Sequence, residues 1–302
     1  MRKWIKWAGV IGIALCIVVI GVGVKVYSDV KTTAEKLYTP LAQEIPAERE
    51  AVVDVKQQEP FSALLLGVDE REGDAGRSDT MIVLTVNPSL GTTKILSIPR
   101  DTYTEIIGAD RKDKINHAFA YGGMEMSKHT VEYLLDIPVD YVAKINMKSF
   151  QEIIDIVGGI TVNNELDFSY DGEQFPIGKI ELDGNKALKY VRMRYEDPAG
   201  DFGRQNRQKQ VIQGVLKESL SVNTIFNYKS IFETLEENME MNIKFDELLN
   251  IRKHYGNSFQ TIEQLYLNNG SSTRLDGIYY YLPDEGELKN IQSTLQQHLE
   301  IE

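Results

Sequence analysis

The sequence predicts an α/β fold, a mixed central β-sheet packed between helices, preceded by one N-terminal transmembrane helix. Three observations predict it. Trp7 to Val24 is an eighteen-residue run without a charge, long enough for a membrane helix. Phe61 to Ile98 gives three apolar runs broken by turn residues. Further on, helical spacing alternates with short β-branched runs, as expected for helices laid on a sheet.

The apolar run exceeds the core of a signal peptide, and Val24-Lys25-Val26-Tyr27-Ser28 is a poor cleavage site, so 7–25 reads as an uncleaved signal anchor. Arg2, Lys3 and Lys6 in the tail 1–6 place the N-terminus in the cytoplasm and the remainder outside. Lys25 and Lys31 blur that asymmetry, while Trp4 and Trp7 suit the interfacial belt. Residues 26–60, with Pro40 and Pro46, read as a partly helical stalk. A domain covering 61–302 follows.

Phe61 to Val68 is a buried strand ending in Asp69-Glu70-Arg71, and an acidic, Gly-rich loop leads to Arg77-Ser78-Asp79-Thr80. Met81 to Asn87 and Lys94 to Ile98 form a hairpin around Pro88 to Gly91, closed by Pro99. Similar strand lengths return Arg100 to the level of Asp79. Asp69, Arg71, Arg77, Asp79, Arg100 and Asp101 then share one sheet edge, where α/β sheets place ligands.

Met124 to Asp136 and Ser149 to Val157 read as helices, the second ended by Gly158-Gly159, with Val139 to Met147 a strand between them. The apolar side Phe150, Ile153, Ile154 and Val157 belongs to the core or lines a lipid channel. Ile160 to Val162 is a short strand, and Phe168 to Leu182 a hairpin with turns at Asp171-Gly172 and Pro176 to Gly178. Ile231 to Met241, Phe245 to Tyr255 and Pro283 to Leu299 read as helices, and Thr261 to Leu267 and Gly277 to Leu282 as strands.

The stretch Tyr190 to Leu220 is the most informative. Val191, Met193 and Tyr195 alternate with Arg192 and Arg194, the period of a strand. After the loop 196–203, positions 204, 208, 211 and 215 form one helical stripe. Its first turns carry Arg204 and Gln208 where the later ones carry apolar residues, and Asp201 or Gly203 is placed to cap it. Arginines two apart on one strand face repel unless an anion lies between them, and the guanidinium fork suits phosphate.

The net charge of −12 opposes general nucleic-acid binding. Yet eight of the twelve arginines fall between Arg71 and Arg207, which argues for a dedicated anion pocket. Cys16 stands alone, excluding an internal disulfide framework. His117 reads as structural, and neither an H-E-x-x-H motif nor a Cys pair suggests zinc.

Gly67-Val68-Asp69, Arg77 to Thr80, Ser97 to Asp101, Lys114 to Asn116, Gly158-Gly159, Val191 to Arg194 and the run Asp201, Gly203, Arg204, Arg207, Gln208 occur in order. Together they resemble the LytR–CpsA–Psr family over about Phe61 to Leu220. The resemblance implies an enzyme on the outer face of a Gram-positive cell membrane. It would move an anionic glycopolymer, usually wall teichoic acid, from an undecaprenyl pyrophosphate-type carrier to peptidoglycan. The bond formed would be a phosphodiester to the C6 hydroxyl of N-acetylmuramic acid.

By motif match, Arg77, Arg100, Arg192, Arg194, Arg204 and Gln208 would hold the pyrophosphate, and Asp69 and Asp79 would bind Mg²⁺ or Mn²⁺. Arg71, Arg207 and Asp201 are further candidates. Arg100 with Asp101 or Asp69 would carry catalysis, the base being either carboxylate. The alternatives are a lipid pyrophosphate hydrolase and a non-catalytic lipid-binding scaffold or transcription attenuator.

Overall fold

Eight residues of near-continuous apolar sequence make β1 (Phe61–Val68), a strand with both faces buried. In the computed structural model the described residues are 28–301, except 30, 47–48, 69–75, 219–235 and 237. The expected anchor at 7–25 and the candidates Asp69 and Arg71 lie outside them. Among the described residues no helix is long and apolar enough to cross a membrane.

β1 pairs antiparallel with β2 (Ser78–Asn87), which returns through a turn at Gly91 into β3 (Thr92–Ser97). Pro99 then stops the sheet, and the chain makes a small antiparallel hairpin of β4 (Tyr103–Ile106) and β5 (Arg111–Lys114), which the sequence reading overlooked. Residues 31–37 form α1, and α2 spans His117–Leu135 with a break at Gly122 and Gly123. β6 (Tyr141–Asn146) pairs parallel to β1 and leads into α3 (Met147–Ile156), capped by Asn146. Gly158 and Gly159 end that helix at φ values of 86° and 87°, in the region that favours glycine.

β7 (Ile160–Asn164), β8 (Phe168–Tyr170), β9 (Glu173–Phe175) and β10 (Gly178–Leu182) make two small ladders beside the main sheet. The turn at Asp171-Gly172 has both residues at positive φ, as a tight hairpin requires. β10 then leaves the hairpin to pair with β7. α4 (Gly184–Arg192) and α5 (Asp201–Glu218) follow.

Two sequence expectations fail here. Tyr190 to Arg192 is helical, because Asp183 caps α4 through Lys186 N–H and Ala187, Leu188 and Val191 keep helical spacing. Val191 and Met193 are both buried only because the chain straightens at Met193, and Tyr195 is 95% exposed. Arg192 and Arg194 therefore do not share a strand face. Of the expected helix at 231–241, residues 231–235 and 237 lie outside the described residues, and its end is instead a strand, β11 (Met239–Met241), which extends the sheet edge beside β6.

The main sheet closes with β12 (Ile262–Leu265), in the order β11-β6-β1-β2-β3-β12. A last hairpin of β13 (Ser271–Leu275) and β14 (Ile278–Leu282) precedes the helix Glu285–His298. Alternation along the strands sorts the core. Leu64, Leu66, Met81 and Val83 pack on α2 and the helix Glu285–His298. Ala63, Ile82 and Leu84 pack on the other face, against Ile212 and Leu216 of α5 and Ile251 of the helix Phe245–His254. The architecture is helices, mixed sheet, helices.

The segment read as a stalk is seated on this body from Thr33 onward. Ala34 and Leu37 are buried against Met241 and Phe245, and Val53 and Val55 join the core under Phe61. Tyr38 bridges to Met241, and the buried Asp140 holds Arg49 at 2.6 Å.

Candidate active site

Between the sheet and the helices α3, α4 and α5 lies a cavity of about 240 Å³. Leu65, Ile82, Ile145, Phe150, Val191 and Ile212 give it apolar walls. Asp79, Thr80, Arg192, Arg204 and Gln208 form its polar end. Gly67 belongs to the floor, and any side chain there would meet Thr80 Cβ at 2.9 Å. The face of α3 divides: Phe150 lines the cavity, whereas Ile154 and Val157 are core against β7 and β10.

Arg100 sits where the hairpin geometry of β2 and β3 puts it. Its Nη1 donates to Asp79 Oδ1 at 2.8 Å, and its Nε lies 3.8 Å from Asp101 Oδ2. Burial opposes the charge on Arg100, but Asp79 outweighs it, with help from Asp101 and Asp201, and holds its pKa above the ordinary arginine value. Asp101 in turn is paired with Lys114 Nζ at 2.6 Å. Lys114 was part of a motif without a role, and the structure gives it this one.

Arg204 and Gln208 lie one turn apart on α5. Gln208 Nε2 donates to Thr80 Oγ1 at 3.0 Å, tying helix to sheet across the polar end. Arg204 Nη2 lies 2.7 Å from Asp201 Oδ1, while its buried Nε has no hydrogen-bond partner. Burial lowers the Arg204 pKa, and the charges of Arg100 and Arg194 add to that effect despite Asp201. A crowded guanidinium with an unused donor is suited to receive an anion. Arg194 Nε is 3.6 Å from Asp201 Oδ1, so Asp201 serves both arginines. Arg77 is exposed one residue before β2 and does not line the cavity.

Arg207 does not face the site, which corrects its candidacy as an anion ligand. It is buried, donating from Nε to Tyr190 O at 2.9 Å and from Nη2 to Met193 O at 2.5 Å. Its Nη1 meets Asp197 Oδ2 at 2.5 Å, and the guanidinium packs over Phe168. Asp197 occupies the space beside Gly203, where a Cβ would lie 1.9 Å from its carboxylate. Sequence reasoning missed Asp197, although the glycine two positions after Asp201 marked a close approach at that point.

The model of the LytR_cpsA_psr family matches residues 24–297. The chain belongs to the LytR–CpsA–Psr family. A family relative from Bacillus licheniformis, the polyisoprenyl-teichoic acid–peptidoglycan teichoic acid transferase TagU, is 49% identical over 251 residues, covering 83% of this chain and 82% of the relative. The solved structure of TagT bound to LIIa-WTA superposes with a TM-score of 0.74 at 31% identity, over 87% of this chain and 100% of that one. The family protein YwtF (TagT) with bound octaprenyl pyrophosphate lipid gives a TM-score of 0.70 at 29% identity, over 87% and 100%.

Proposed function

We propose that this chain transfers wall teichoic acid from a polyprenyl pyrophosphate-type carrier to peptidoglycan, forming a phosphodiester at the C6 hydroxyl of N-acetylmuramic acid. One observation carries the reading: a single cavity joins an apolar interior to an end built from Arg192, Arg204 and Gln208, with Arg100 beside it. That is head and tail chemistry for a lipid pyrophosphate. The family relatives with a transferase name and with bound lipid support it.

The chain's residues act mainly by placing and neutralising charge, which phosphoryl transfer needs more than covalent help. The polyprenyl tail enters between Leu65, Phe150 and Ile212. Arg204, Arg194 and Arg192 hold the two phosphates. The acceptor oxygen bonds to the phosphorus of the polymer phosphate, the bond to the lipid phosphate breaks, and Arg100 offsets the charge that develops there. The hydroxyl proton passes to a carboxylate, for which we choose Asp101, oriented by Lys114.

Asp79, at the polar end, and Asp69, beyond the described residues, would hold a divalent cation, Mg²⁺ or Mn²⁺. Carboxylate oxygens with phosphate oxygens are a fitting donor set for such a hard ion. When bound, it would supply further neutralisation of the phosphates.

The deciding experiment gives the full chain, in detergent, a lipid-linked teichoic acid precursor, Mg²⁺ and uncrosslinked glycan. Polymer covalently joined to glycan is expected, and chelation by EDTA or Asp79→Ala should remove most of it. Release of free phosphorylated polymer at one rate with and without glycan would establish a hydrolase instead. Tight lipid binding with neither product would establish a scaffold. Unchanged activity in EDTA would remove the metal from the scheme.

We also propose that the chain is a single-pass protein with the domain outside the cell, on the strength of the charge-free run after Arg2, Lys3 and Lys6. Protease added to intact protoplasts should digest the domain. Full protection of the residues beyond 26 would overturn this topology.

A further inference from the structure

We propose that the surface formed by Tyr103, Tyr121, Arg111, His117 and Lys114, backed by the buried Tyr280, is a binding platform for the acceptor glycan strand. The proposal rests on the transferase reading. It begins from how this surface joins the candidate active site. Arg100 touches Asp79 at the cavity and Asp101 beside it, and Asp101 pairs with Lys114 at 2.6 Å. Lys114 is the cross-strand partner of Tyr103 in the hairpin of β4 and β5. Tyr281 N–H of β14 donates to Asp101 O at 2.9 Å, fixing the last hairpin against the same loop. The surface is thus continuous with the residue assigned to take the acceptor's proton.

Its chemistry is that of a sugar site. The half-buried Tyr103 ring packs edge to face at 4.9 Å on the buried Tyr280, and Lys114 Nζ lies 5.8 Å from the Tyr280 ring centre, so Tyr280 supports the surface from below. Arg111 lies over the Tyr121 ring at 5.5 Å, with Tyr121 itself 44% exposed. Along β14, alternation puts Ile278 on the same side as Tyr280, opposite Leu275 of β13, and both apolar residues are exposed. Aromatic faces receive the C–H faces of pyranose rings, while guanidinium, imidazole and ammonium groups donate to hydroxyl and acetamido oxygens.

The platform is also held in place from beneath. Asp113 is buried and accepts from Tyr121 OH at 2.8 Å and Tyr280 OH at 3.4 Å, while His117 Nδ1 lies 3.0 Å and Arg111 Nη2 3.5 Å from it. Burial raises the Asp113 pKa, but the His117 contact and the bonds from Lys114 N–H and Tyr121 outweigh it and hold the carboxyl at about 2. One carboxylate ionised throughout the physiological range therefore fixes the side chains of four neighbours. Prior fixing of the groups that touch a ligand reduces the entropy lost when it binds.

The test uses the full chain in detergent with soluble, uncrosslinked glycan strands as probe. Transfer is measured against glycan concentration, and glycan and lipid pyrophosphate binding are measured separately by calorimetry. Tyr103→Ala and Arg111→Ala should each raise the acceptor KM by about tenfold, equivalent to about 1.4 kcal/mol, with kcat and lipid affinity unaltered. Tyr121→Phe, which keeps the ring, should have a smaller effect. Arg111 is exposed enough that its loss leaves the fold intact, so a failure of Tyr103→Ala to fold does not stop the test. An acceptor KM unchanged in Arg111→Ala, or lipid affinity falling in step with it, overturns the platform. Glycan binding by the wild type that these variants lose, without any transfer, keeps the platform and removes the transferase reading. Normal transfer with unchanged KM does the reverse. Attachment of this face to lipid vesicles, with no glycan binding, would make it a membrane surface instead.

Discussion

Arg100→Met should lower transfer by about a hundredfold or more, the scale on which loss of one preorganised donor to developing charge acts. Arg100 is the residue that joins the two halves of the site, bonded to Asp79 at the cavity and close to Asp101 on the acceptor side. Its loss leaves Asp79 and Asp101 facing the incoming phosphates without the cation between them, so two effects act together. Arg100→Lys should restore little, since an ammonium cannot serve two carboxylates and a phosphate in one plane. By comparison Arg194, 42% exposed and 3.6 Å from Asp201, is a peripheral contact. Arg194→Ala should weaken lipid pyrophosphate binding by about 1.5–3 kcal/mol, the scale of a charged hydrogen bond. Product yield with the purified variants reads the first effect and lipid titration the second. Near-normal turnover in Arg100→Met would show that the metal and Arg204 suffice.

Arg207→Met should cost about 3–5 kcal/mol of folding stability, as expected when one member of a buried ion pair is removed. The guanidinium satisfies two backbone carbonyls, of Tyr190 and Met193, and the buried carboxylate of Asp197. These acceptors lie on the connection that carries Arg192 and Arg194 to the cavity. The loss should therefore appear both as a lower denaturation midpoint and as weak lipid binding by the protein that remains folded. Asp197→Asn should be milder, because the amide keeps an acceptor for Arg207 and the small volume beside Gly203. Denaturant unfolding decides the matter. Wild-type stability with lost lipid affinity would return Arg207 to the binding site.

Much of this site was legible because its parts come from regular elements. The hairpin of β2 and β3 has nearly equal arms, so Arg100 had to return to Asp79. The stripe read as 204, 208, 211 and 215 on α5 was legible at its polar turn, since Arg204 and Gln208 do line the cavity, but the apolar residue that joins them there is Ile212, while Val211 and Val215 pack against β7 and β10. The connection 190–197 was harder to read. Val191 and Met193 alternate with arginines there, but the alternation spans a helix end, and the local pattern of a strand arises from two different backbones. The cap at Asp183, which decides it, lies well upstream. Arg207 was unreadable for another reason: a basic residue within a cluster of arginines looks like its neighbours, and only its tertiary partners separate clamp from ligand. The β4 and β5 hairpin, rich in charge and poor in apolar residues, gave no periodic signal.

If the proposed anchor holds, the seating of the N-terminal segment would set how far the enzyme works from the bilayer. Thr33 is buried and bonded to Glu236, and Leu37 is packed beneath Phe245. With the proposed anchor ending at residue 25, seven residues would separate lipid from domain, and they would span less than the about 25 Å of a fully extended chain because residues 31 and 32 already belong to α1. The domain would then be moored close to the membrane, with no boom to swing upward into the wall. A carrier whose tail is dissolved in the bilayer needs to rise only a short distance to reach the cavity. The glycan would have to come down. Strands freshly made at the membrane surface would meet the enzyme, and those already built into the outer wall would lie beyond its reach.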